Sequence, residues 1–136
     1  MAILSIYTDA SFKRRGKKKP NIARIGYVTY YEKVKTYEFF SEDILLPKAY
    51  DNNDAEVLAV IHVLDLIHKN LSELSYLNVK HIEINTDNEA VKHLLKKYDL
   101  NDYITDLSRK QISVNIKHLS RNNPRIKYVD YNLRFN

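Results

Sequence analysis

The chain has 136 residues, 44% hydrophobic and 29% charged, which is enough apolar content for one core and leaves no polar tract long enough to be disordered. Lysine and arginine number 22 against 17 aspartate and glutamate, a net charge of +5 that suits a polyanionic partner. The absence of cysteine excludes disulfides and thiolate metal sites, and no apolar run nears the ~20 residues of a membrane span, so a soluble cytoplasmic protein is expected.

Residues 2–10, rich in Ile, Leu and Tyr, predict a buried strand. Residues 12–22 are the most polar stretch, and Gly16 and Pro20 mark them as a loop. Residues 23–33 alternate as a second strand with Ile25, Tyr27, Thr29 and Tyr31 on one face, and residues 34–46 predict a third. Pro47 and the group Asp51-Asn52-Asn53-Asp54 break this pattern. Asn53 or Asp54 then caps a helix whose Val57, Leu58, Val60, Ile61, Leu64 and Ile67 recur at spacings of three and four. Residues 70–78 read either as a further helical turn or as a loop. Residues 80–86 predict a strand, and residues 88–97 a short helix with Ala90, Val91, Leu94 and Leu95 inward. A longer helix is expected over 102–121, with Ile104, Leu107, Ile112, Ile116 and Leu119 as its stripe and Asn122-Asn123-Pro124 as its stop. Residues 125–131 alternate as a last strand. The sum is one α/β domain over 1–136, with three antiparallel strands followed by parallel crossovers.

Three acidic residues stand out by their settings. Asp9 ends an apolar run, Glu56 opens the first helix, and Asp87 ends the run from His81. Taken singly, an Asp after a strand is usually a cap or turn former, and a Glu in a first helical turn usually serves the helix dipole. Together they can converge on one sheet edge and hold hard cations, because magnesium needs only a few oxygen ligands aimed at one point. Six of the seven residues from Lys13 to Lys19 are Lys or Arg. Lys13, Arg14, Arg15 and Lys17 read equally as a solvated hairpin tip and as a phosphate-binding loop.

With these motifs in view, the chain resembles the type 1 ribonuclease H family. Asp9-Ala10-Ser11 is similar to that family's Asp-x-Ser on the first strand. Asn52-Asn53-Asp54-Ala55-Glu56 is similar to its Asn-Asn-x-x-Glu helix start, and Thr86-Asp87-Asn88 to its Thr-Asp-Ser, with Asn88 in place of Ser. The resemblance covers about residues 2–131. It implies a ribonuclease H-like fold, a mixed five-stranded sheet flanked by helices. It also implies metal-dependent hydrolysis of the RNA strand of RNA/DNA hybrids, or action on another duplex nucleic acid. Asp9, Glu56 and Asp87 would be ligands of two Mg2+ or Mn2+ ions, with Ser11, Asn52, Asn53 and Asn88 against the nucleic acid. Two features depart from the family. Its fourth carboxylate stands on a C-terminal helix that this chain is expected to lack, which leaves Asp130, on or beside the last strand, as the nearest substitute. The His that assists product release in some members has no counterpart, His118 falling inside the expected helix. These departures favour, as the alternative, a catalytically weak nucleic-acid-binding module on the same fold.

Overall fold

The computed structural model describes residues 3–13, 21–31, 36–47 and 50–133. Three long strands come first: β1 (Ile3–Lys13), β2 (Asn21–Tyr31) and β3 (Thr36–Leu46). They pair antiparallel, with Asp9 opposite Gly26 and Gly26 opposite Ser41. Helix α1 (Asn52–Lys69) follows, then α2 (Leu71–Tyr76), which settles the 70–78 segment as helical. Strand β4 (His81–Thr86) returns beside β1 in parallel, so the order is β3-β2-β1-β4-β5 and β1 is the central strand.

The cap of α1 is Asp51, two or three residues before the expected Asn53 or Asp54. Its carboxylate accepts from the Asp54 N–H at 3.1 Å, and the Asp54 carboxylate accepts from the Asp51 N–H at 2.8 Å. This reciprocal box satisfies two otherwise open donors at the helix start. The next helix, α3 (Val91–Leu94), is short and runs into a 3-10 turn over Leu95–Lys97.

The helix expected over 102–121 is two elements. Helix α4 (Asn101–Arg109) ends at Lys110, Gln111 takes a left-handed φ of 56°, and strand β5 (Ser113–His118) begins. A left-handed residue just past a helix cannot continue it. The β-branched Ile112, Val114 and Ile116 that follow alternate at the strand period, and β5 pairs parallel with β4 from Ser113 opposite His81 to His118 opposite Thr86.

The strand expected over 125–131 is a helix, α5 (Pro124–Leu133). Asn123 is its cap, accepting from the N–H groups of Arg125 at 3.0 Å and Ile126 at 3.3 Å. Pro124 takes the first helical position, where its missing N–H costs nothing. The group that looked like a helix stop is therefore a helix start. Ile126, Val129 and Leu133, spaced by three and four, are buried against Tyr7 of β1 and Val28 of β2. Each such side chain contributes about 1.5–3 kcal/mol of burial, enough to override a strand-like local pattern.

The sheet is thus covered on both faces. Ile6, Ile82 and Ile84 pack with Val57, Val60 and Val63 of α1 and with Val91 and Leu107 on one side, and α5 covers the other. Arg125 locks α5 down, donating to Tyr7 Oη at 2.7 Å while its guanidinium lies 4.4 Å from the centre of the Tyr30 ring.

Gly26 is what lets α5 sit this close. A Cβ there would stand 2.5 Å from Leu133 Cδ2 and 3.1 Å from its Cγ. Leu133 is itself fully enclosed, so it has little room to retreat. The Gly26→Ala substitution should cost about 1–3 kcal/mol in urea unfolding. In a Leu133→Ala background the same change should cost much less, and equal costs in both backgrounds would show that the contact is not the cause.

Candidate functional site

Asp9 lies inside β1 rather than at its end, two residues beyond the last β1–β4 pair, Tyr7 opposite Asn85. Asp87 follows directly on the last residue of β4. Extending the parallel register past that pair sets Asp9 beside Asp87, and strand alternation puts both on one face. Two side-chain bonds fix the spacing of the strands here: Asn85 Nδ2 donates to the Ile6 carbonyl at 3.2 Å, and Thr8 Oγ1 to the Asn85 carbonyl at 3.4 Å. Glu56 reaches the same point from the first turns of α1, between the buried Ala55 and Val57.

Each of Asp9, Glu56 and Asp87 offers an oxygen within 4.8 Å of the others. Asp9 and Glu56 are each only 4% exposed. The three line a cavity of about 200 Å³ together with Ala10, Asn52, Asn88, Arg121, Ile126, Lys127 and Asp130. Asp130 stands on α5, so the chain does have a C-terminal helix with an acid facing this cavity, contrary to the sequence expectation.

Electrostatics makes the cluster unfavourable on its own. Burial is the main cause that pushes Asp9 up to about 7; Asp87 and Asp130 add to it, while bonds from Glu56 and the Ala10 N–H oppose it. Glu56 is raised well above its ordinary value, first by burial and then by the charge of Asp9. The bond between them lowers Asp9 and raises Glu56, so a proton held by the pair sits on Glu56. Asp87 is raised by burial, against a lowering from Arg121, whose Nε is 3.5 Å from Asp87 Oδ2. Glu56 Oε2 is buried with no hydrogen-bond partner among the described residues. Hard oxygen donors, crowded and incompletely satisfied, fit a divalent cation.

The other expected contacts are distributed unevenly. Asn52 and Asn88 line the cavity, and Asn53 is tied to Asn88. Ser11 and Lys13 lie farther along β1 and are not part of the lining; Arg14, Arg15 and Lys17 fall outside the described residues. Arg121 and Lys127 are cavity residues that the motifs did not single out. No motif signal marks them; Lys127 comes into place because α5 is a helix, and Arg121 lies in the turn before it, against Asp87. His118 is the last residue of β5 rather than part of a helix, with Nε2 3.2 Å from the Asp87 carbonyl.

No protein-family model matches the sequence, and no curated protein matches it. Solved structures do. LC11-RNase H1, isolated from compost by a metagenomic approach, matches with a TM-score of 0.62 at 24% identity, covering 94% of this chain and 90% of that one. The fold is that of ribonuclease H. RNase H1 from the halophilic archaeon Halobacterium salinarum NRC-1 matches with a TM-score of 0.55 at 23% identity over 93% of each chain. LC11-RNase H1 in complex with an RNA/DNA hybrid matches with a TM-score of 0.56 at 22% identity, covering 96% of this chain and 99% of that one.

The raised carboxyls make stability depend on pH with a definite sign. Asp9 moves from an ordinary 3.8 to about 7, so between these values the folded chain keeps a proton that the unfolded chain has lost. Stability conferred by that proton is present at low pH and declines as pH rises through this window. Without divalent ions, Tm should fall by several degrees from pH 5 to pH 8, and the Asp9→Asn, Glu56→Gln double variant should remove most of that fall. A thermal melt series in chelator tests this, and an equal slope in the variant would contradict it.

Proposed function

We propose that this protein is a metal-dependent endonuclease that hydrolyses the RNA strand of RNA/DNA hybrids by a two-metal mechanism, with Asp9, Glu56 and Asp87 as ligands and Asp130 as the fourth carboxylate. The observation that carries the reading is the convergence of three oxygens within 4.8 Å beside the central strand. The ribonuclease H fold and the complex of LC11-RNase H1 with a hybrid support the substrate class. The alternative, a binding module without turnover, drew its strength from a missing C-terminal helix, and α5 removes that ground.

In this reading the chain supplies position and charge. Asp9 and Glu56 are fixed by packing, and loss of the proton they share readies the site for cations. Asn52 and Asn88, flanking the acids, hold the nucleic acid beside the scissile phosphate. Arg121 and Lys127, which also line the cavity, attract the backbone. Bound Mg2+ or Mn2+ would lower the pKa of an attacking water and neutralise charge on the leaving oxygen. Attack on phosphorus in line with the 3′ oxygen breaks the P–O3′ bond and leaves a 3′-hydroxyl and a 5′-phosphate.

The test is cleavage of a hybrid labelled on its RNA strand, in magnesium, manganese or chelator. Cutting of the RNA strand with either metal, absent in chelator and undetectable in Asp9→Asn, is expected. Asp130→Asn should reduce the rate by about 10–100-fold, the usual effect of weakening a metal site without removing its main ligands. Full magnesium-dependent cutting by Asp87→Asn would overturn the assignment.

A further inference from the structure

We propose that Asn88 is a positioning residue that fixes the side-chain amide of Asn53 as a hydrogen-bond donor toward the bound duplex; this deepens the hybrid-nuclease reading and rests on it. The Ala90 N–H donates to Asn88 Oδ1 at 2.8 Å, which settles which end of the Asn88 amide is oxygen. The other end, Nδ2, donates to Asn53 Oδ1 at 2.8 Å. The Asn88 N–H donates to Thr86 Oγ1 at 3.2 Å, so the residue is held at its root as well.

A carboxamide carries one acceptor oxygen and one donor nitrogen. With its oxygen engaged by Asn88 Nδ2, the Asn53 amide has a fixed sense, and no described residue accepts from its NH2 group. Asn53 is exposed, next to Asn52 of the cavity wall, while Asn88 is itself in that wall. The bond therefore pins the start of α1 to the turn after β4 and presents a donor of fixed sense at the rim. Donors suit the minor-groove edge of a duplex, where every base pair offers acceptors in nearly equivalent places. In an A-like helix that groove is wide and shallow enough to be reached. Asn53 thus adds affinity with little dependence on sequence. Serine at position 88 would still accept from the Ala90 N–H but is too short to reach Asn53.

The experiment is equilibrium binding of a fluorescent RNA/DNA hybrid in chelator by the wild type, Asn88→Ser, Asn53→Ala and the double variant. Each single change should weaken binding roughly five- to tenfold, the loss of about one hydrogen bond. The double variant should bind no more weakly than Asn53→Ala alone, because both changes remove the same interaction. Asn88→Thr, which keeps the hydroxyl, should behave as Asn88→Ser does. Additive losses, or no loss in Asn88→Ser, would overturn the proposal and leave the nuclease reading standing. A wild type that binds no hybrid would overturn both.

Discussion

Two buried carboxylates and a half-buried third, with oxygens within 4.8 Å of one another, repel, and the rest of the molecule is arranged to hold them there. Each acid comes from a different element, so no local rearrangement separates them. Asp9 is clamped in the central strand, paired with β2 beside it. Glu56 is carried by a helix whose start is fixed by the Asp51–Asp54 box and whose inner face is buried over most of its length. Asp87 is set by the last pairs of β4 with β1 and β5. Burial in a medium poorer than water magnifies the repulsion, and protonation of the Asp9–Glu56 pair relieves it in the absence of cations.

The opposite face of the sheet contributes through one contact. Gly26 stands beside Asp9 across the β1–β2 ladder, and the space its missing Cβ leaves is filled by Leu133 of α5. The helix thereby comes down close to the sheet at the level of the acids. Asp130, one turn before Leu133, then faces the cavity with Lys127. A site of four acids and two bases is thus assembled from both helical layers and the strand between them.

Much of this was legible in the sequence, because its signals are local. The first three strands show as apolar and alternating runs, α1 as a three-four stripe, and β4 as an apolar run ending in Thr86-Asp87. The three acids were recognisable by their place at the boundaries of such runs. The failures lie beyond residue 100, where two periods compete. Ile112, Val114 and Ile116 fit a strand, yet Ile112, Ile116 and Leu119 also fit a helix stripe. Ile126 and Tyr128 suggest alternation, whereas the buried set is Ile126, Val129 and Leu133. Tertiary packing decides both cases: β5 by pairing with β4, α5 by docking over Gly26. The Asn123-Pro124 pair held the clue to the second, since asparagine then proline is a better helix start than a strand boundary. Misplacing α5 also concealed Lys127 and put Asp130 on the wrong kind of element. The tie between Asn88 and Asn53 spans 35 residues and has no signature in a single sequence.

Self-repelling, incompletely satisfied carboxylates suit a divalent cation. Calorimetric titration with Mn2+ near pH 6.5, repeated in buffers of different ionisation enthalpy, tests this most directly. Saturable binding that releases protons is expected, because the Asp9–Glu56 pair holds a proton that the cations displace. Binding that leaves the protonation state unchanged at pH 6.5, or binding that persists undiminished in Asp9→Asn, would contradict it.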